Sequence, residues 1–117
     1  MENGDIVYAN RRDDETYAYT LTTYEGDIVD LTGGKAWFTV KATNEETESD
    51  SDAIIQKEIT EFTNPTAGII YIELTNEDTN HDPGIYWYDL QFKDSRGKYT
   101  TKIGKFVITQ DITQDKT

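Results

Sequence analysis

The residues that could do chemistry are few. The chain has one histidine, His81, in the run Asp78-Thr79-Asn80-His81-Asp82. A carboxylate beside an imidazole could form half of a nucleophile–base–acid triad. No G-x-S-x-G elbow is present to supply the nucleophile, and no insertion stands out that would build a cleft. His81 therefore reads as a solvated turn residue. Hard oxygen donors suited to calcium occur at Asp50-x-Asp52 and at Glu77-Asp78 with Asp82, but neither stretch completes a D-x-[DN]-x-[DN]-G loop. Paired carboxylates carry little information here, because acidic residues number 23 against 11 basic. With no cysteine, thiolate catalysis, disulfides and thiol zinc sites are excluded. The expectation is no catalytic residue, no metal and no cofactor, hence not an enzyme. The remaining candidates are Trp37 and Trp87, aromatic anchors of the kind that interfaces use.

The elements that must carry these residues are short and extended. Ile85, Trp87, Asp89 and Gln91 alternate with Tyr86, Tyr88, Leu90 and Phe92, so Trp87 is expected on the outward face of a strand. Ala36, Phe38 and Val40 alternate with Lys35, Trp37, Thr39 and Lys41, which puts Trp37 outward as well, either as an interface residue or covered by a neighbouring loop. Further strands are expected at Asp5–Ala9, Thr16–Thr23, Ala53–Ile59, Ile69–Leu74 and Lys98–Thr109. The core is expected at Phe38, Val40, Ile70, Ile72, Leu74, Tyr86, Tyr88, Leu90, Phe106 and Ile108. Between strands lie turn signals. Tyr24-Glu25-Gly26-Asp27 is a tight turn, Asn64–Gly68 another, and Thr75–Asp78 resembles a capping box that starts one helical turn. Lys93–Lys98 is a hairpin with Gly97 expected at a left-handed position. Thr43–Asp52 is polar and acidic throughout and reads as a loop peripheral to any interface. The terminal strands, Asp5–Ala9 and Lys98–Thr109, are expected near sheet edges, open to pairing with another chain.

Asp82-Pro83-Gly84-Ile85-Tyr86 adds a topological signal. A D-x-G-x-Y entry into a strand marks the corner of an immunoglobulin-like sandwich, where the tyrosine hydroxyl bonds back to upstream backbone. That bond is expected to reach Asn80 to Asp82. Tyr88 stands where an antibody domain has its second cysteine. Turn signals every 8–12 residues fit the same architecture. The fold class expected is all-β: an immunoglobulin-like antiparallel β-sandwich of about seven to eight strands. It forms a single domain over residues 1–113, with a polar tail at 114–117.

Composition limits the partners. A formal charge of -12 disfavours nucleic acid, whose phosphates need cationic contacts, and anionic membrane surfaces. No apolar run approaches a membrane span, and Met1–Asp5 has neither the basic nor the apolar segment of a secretory signal. Synthesis and folding in a cytoplasm are expected. Hydrophobic residues make up 35% of the chain, so the core must be lean, and eight tyrosines supply much of the large side-chain area.

An ordered set of segments also resembles a known family. Gly26-Asp27, Asp30-Leu31-Thr32-Gly33, Phe38-Thr39-Val40-Lys41, Ala53–Lys57, Gly68-Ile69-Ile70, Thr75 with Asp78-Thr79, Gly84–Gln91 and Gly104–Thr113 carry the likeness. Together they resemble the N-terminal domain of phage baseplate upper proteins and small tail-associated immunoglobulin-like phage proteins. The likeness runs from about Asp5 to Thr113, and its strength lies in order and spacing. It implies a non-enzymatic structural component of a tailed phage virion, made in the bacterial host cytoplasm. Such a module of the tail or baseplate would connect receptor-binding or fibre proteins. Its partners would be other phage structural proteins, with a homo-oligomer in the particle and neither nucleic acid nor membrane. The chain stops near the point where longer relatives continue into a stalk. Two alternatives share the fold: a capsid decoration or head–tail joining protein, and a carbohydrate-binding module recognising host glycans through Trp37 or Trp87.

Overall fold

Alternation of apolar and polar residues gives strands over more than half of the described residues. The computed structural model describes residues 2–3, 6–23, 25–42 and 53–110; at 2–3 and 98–101 it describes the backbone alone. The expected loop at Thr43–Asp52 and the tail at 114–117 lie outside these residues. Eight strands are seen among them: β1 (Glu2–Asn3), β2 (Val7–Asn10), β3 (Glu15–Thr20), β4 (Lys35–Lys41), β5 (Ile55–Ile59), β6 (Ile69–Leu74), β7 (Gly84–Asp94) and β8 (Gly97–Thr109). The larger sheet has the order β1-β8-β7-β4-β5, and β2 also pairs with β8, further along it than β1. The smaller sheet is the antiparallel pair β3-β6.

Two features of this topology correct the sequence reading. Among the described residues β8 is not an edge strand: β7 pairs along one side and β1 and β2 along the other. Those last two pairings are parallel, so the larger sheet is mixed. Among the described residues the larger sheet ends at β5 on one side and at β1 and β2 on the other, so the first strand lies at an edge as expected, and both strands of the smaller sheet are edges. At the β7–β8 hairpin the turn is made by Ser95 and Arg96, and Gly97 follows with φ of 151°, a positive value that favours glycine. The Asp94 carboxylate closes the turn by accepting from the Arg96 backbone N–H at 2.8 Å.

The core draws on both sheets. Ala36, Phe38, Val40, Tyr88, Leu90, Phe92, Phe106 and Ile108 of the larger sheet are buried in one cluster with Ile70, Ile72 and Leu74 of the smaller one. The Phe38 ring lies 5.5 Å from that of Tyr88 and 6.1 Å from that of Phe106, centroid to centroid. Of the residues expected inside, only Tyr86 is half-buried rather than buried. Its place at the start of β7 explains this, because the hydroxyl must reach the preceding loop. Leu31, from the β3–β4 connection, is fully buried and was not expected. The connection can approach so closely because Gly34 has no side chain: a Cβ there would lie 2.3 Å from Phe92 Cζ.

Three local devices hold the connections. The Tyr86 hydroxyl donates to the Asp82 carbonyl at 2.7 Å, the upstream bond expected of the corner. At Thr75–Asp78 the capping is reciprocal. The Thr75 N–H donates to the Asp78 carboxylate at 2.8 Å, while the Asp78 N–H donates to the Thr75 hydroxyl at 3.3 Å. A single helical turn follows, with the Thr79 N–H bonded to the Thr75 carbonyl. Finally, the buried Thr79 hydroxyl donates to the Asp13 carbonyl at 2.8 Å, tying the β6–β7 connection to the β2–β3 turn.

Candidate interaction surface

β7 and β4 place Trp87 and Trp37 on the outer face of the larger sheet, as alternation requires, since Tyr88, Leu90, Phe38 and Val40 take the inner positions. Both tryptophans are half-buried there. The structure puts them on one face but does not bring them together. Trp37 stands opposite Gln91 of β7 and Glu58 of β5, whereas Trp87 stands opposite Lys41 of β4 and Lys105 of β8. Four residues of strand separate the two rows, about 13 Å.

Their surroundings differ. The Lys105 ammonium lies 5.6 Å from the centroid of the Trp87 ring, a cation–π contact that occupies one face of the indole. A sugar stacking on Trp87 would have to displace it from that face. Trp37 lies in a polar row beside the ion pair of Lys35 and Glu58, whose charged atoms are 3.3 Å apart. Between the two rows, Thr39 is nearly covered although it points outward, and its hydroxyl accepts from the Gln56 amide at 3.3 Å.

The most apolar part of this face went unnoticed in the sequence. Tyr8 of β2 is in register with Val107 of β8, and Val107 with Ile85 of β7. The three side chains form one row across three strands. Tyr8 is 59% exposed and Ile85 60%. Ile6, on the same side of the chain as Tyr8, is 48% exposed. Trp87 and Lys105 form the next row. Large apolar side chains left this open on one face make it a candidate contact surface. The sequence shows that Ile6 and Tyr8 share one side of their strand, but not which side faces out. Linking them to Ile85 required the parallel β2–β8 pairing, which no local pattern shows.

The chemical candidates do not converge on a site. His81 is half-buried in the loop before β7, and its backbone N–H donates to the Thr79 carbonyl at 2.9 Å. Ser95 is the one serine among the described residues, and it lies beyond the far end of β7. That strand has 11 residues, so about 35 Å separates its ends. Asp50 and Asp52 lie outside the described residues. Asp78 is committed to Thr75 and to the Lys57 ammonium at 2.7 Å. Among the described residues no group of three His, Cys, Asp or Glu side chains could hold a metal ion. What the outer face can do is bind: it offers apolar area, two indoles and a lysine rim on a rigid sheet. No known protein-family model matches this chain, and no curated protein matches it.

Proposed function

We propose that the chain is a non-enzymatic structural component of a tailed phage virion. In this reading it is an immunoglobulin-like module of the tail or baseplate that connects receptor-binding or fibre proteins. The phage assignment is supported by the ordered set of segments described above, which the fold distributes over turns and strands along most of the chain. The immunoglobulin-like assignment is supported by three features. The β3–β6 pair shares a core with a sheet in the order β8-β7-β4-β5, β2 runs parallel to β8, and the Tyr86 hydroxyl closes the corner onto Asp82.

The observation that carries the assembly role is the row Tyr8–Val107–Ile85 with Trp87 beside it, an open apolar surface on a rigid sheet. The test is the protein content of purified particles from the phage that encodes the chain. The expected result is its presence in tail-bearing particles and its absence from tail-less heads. Recovery on the heads would favour the capsid or head–tail reading. Absence from all particles, with host-glycan binding lost on Trp37→Ala, would favour the carbohydrate-binding reading.

A further inference from the structure

Two surfaces of this chain match each other in shape of chemistry: the apolar row with its lysine rim, and an acidic turn that carries an exposed isoleucine. The turn lies in the β3–β4 connection. Thr22 and Ile28 form an isolated bridge, and Ile28 is 51% exposed. Glu25, Asp27 and Asp30 surround it in sequence, and all are exposed. Hydrogen bonds link Thr23 to Gly26 and Asp27. The Thr23 N–H donates to the Asp27 carbonyl at 2.7 Å, the Asp27 N–H to the Thr23 hydroxyl at 3.1 Å, and the Gly26 N–H to the Thr23 carbonyl at 2.9 Å. Gly26 supplies the φ of 95° that this closure needs. Asp30 is held in place by accepting from both the N–H and the hydroxyl of Thr32.

The turn and the apolar row belong to opposite ends of the fold. The β3–β4 connection feeds β4 at Lys35, which stands opposite Lys93 near the end of β7. Ile85 lies near the start of β7, eight residues back, or about 27 Å along the strand. Complementary patches at two ends of one chain meet only between copies, and such a contact is heterologous. We infer that the surface formed by Tyr8, Val107, Ile85, Trp87 and Lys105 is the docking site for a second copy of this chain. The second copy inserts Ile28 against the apolar row and sets Asp27 and its neighbouring carboxylates beside Lys105. The polarity of the contact gives a ring if its rotation closes and an open array if it does not. This inference takes its biological setting from the virion reading above, but its test does not depend on that setting.

Charge argues for this pairing over a face-to-face dimer. A two-fold contact through the apolar row with its axis along the strands would set the Lys105 rows of the two copies against each other. The head-to-tail contact pairs acidic and basic groups locally.

The test uses the full chain and two charge reversals at exposed positions, Lys105→Glu and Asp27→Lys, followed by sedimentation at about 0.15 M salt. The unaltered chain is expected to associate with rising concentration. Each variant alone is expected to associate about tenfold more weakly, because its contact then sets like charges together. An equal mixture of the two is expected to regain association, since each patch then meets a turn of opposite sign. An unaltered chain that stays monomeric to millimolar concentration overturns the inference. So does an oligomer indifferent to both reversals, or one weakened by Lys105→Glu alone. Any of these leaves the virion reading standing, with a different protein on the patch. Conversely, regained association in the mixture, with the chain absent from particles, sinks the virion reading and keeps this contact.

Discussion

Tyr86 and Asp78 show how single side chains fix this fold. The Tyr86 hydroxyl has one strong partner, the Asp82 carbonyl at 2.7 Å, and the ring below it packs against the core. Burial, with the Asp82 charge second, pushes its pKa above the ordinary tyrosine value. Tyr86→Phe keeps the ring and removes the bond, so unfolding in denaturant should show a loss of about 1 kcal/mol. No measurable loss would mean that the corner closes without this bond. Asp78 gives a pH signature. Burial works to raise its pKa, but the hydrogen bonds from Lys57 and Thr75 and the Lys57 charge outweigh it, and the carboxyl is held below the usual aspartate range. A group depressed in the folded state stabilises above its unfolded value, about 3.9, and that contribution is lost as pH falls through the lowered folded value. Asp78→Asn should therefore destabilise at pH 7, and the gap to the unaltered protein should narrow below about pH 4. A gap that is constant from pH 7 to pH 2 would contradict the assignment.

At the scale of elements, the two faces of each strand have unequal weight. Ile72 of β6 is fully buried in the core, and Thr39 of β4 is covered on the outer face by its neighbours. Ile72→Ala should cost about 2–5 kcal/mol. Thr39→Ala removes one hydrogen bond with Gln56 and should cost about 1 kcal/mol or less. Equal losses at the two positions would contradict the register. This alternation was readable because it is local: residues two apart share a face whatever the partner strand. Gly26 and the Thr75–Asp78 box were readable for the same reason. Leu31 was not, because its burial comes from a connection folding under the sheets rather than from any periodicity. Nor was the inward side of β2. Val7-Tyr8-Ala9 offers apolar groups to both faces, and only the tertiary packing selects Val7 and Ala9 for the core. The candidate surface divides the same way. Trp37 and Trp87 were placed outward by alternation, whereas the row from Tyr8 to Ile85 joins segments nearly 80 residues apart.

At the scale of the whole molecule, charge and exposed apolar area pull in different directions. An excess of 12 negative charges opposes association of copies in dilute solution and favours docking against basic or locally cationic surfaces. The exposed apolar row works the other way and gives a neighbour in an assembly something to bury. A chain with both properties can remain dispersed while dilute and dock where a particle concentrates its components. That is the behaviour proposed for a tail or baseplate module. The most direct measurement is the position of the chain in the density of native particles of the phage proposed to encode it. The account predicts the domain in the tail, with Tyr8, Val107 and Ile85 covered by a neighbouring protein. Particles that lack the domain, or that carry it with this face open to solvent, would contradict it.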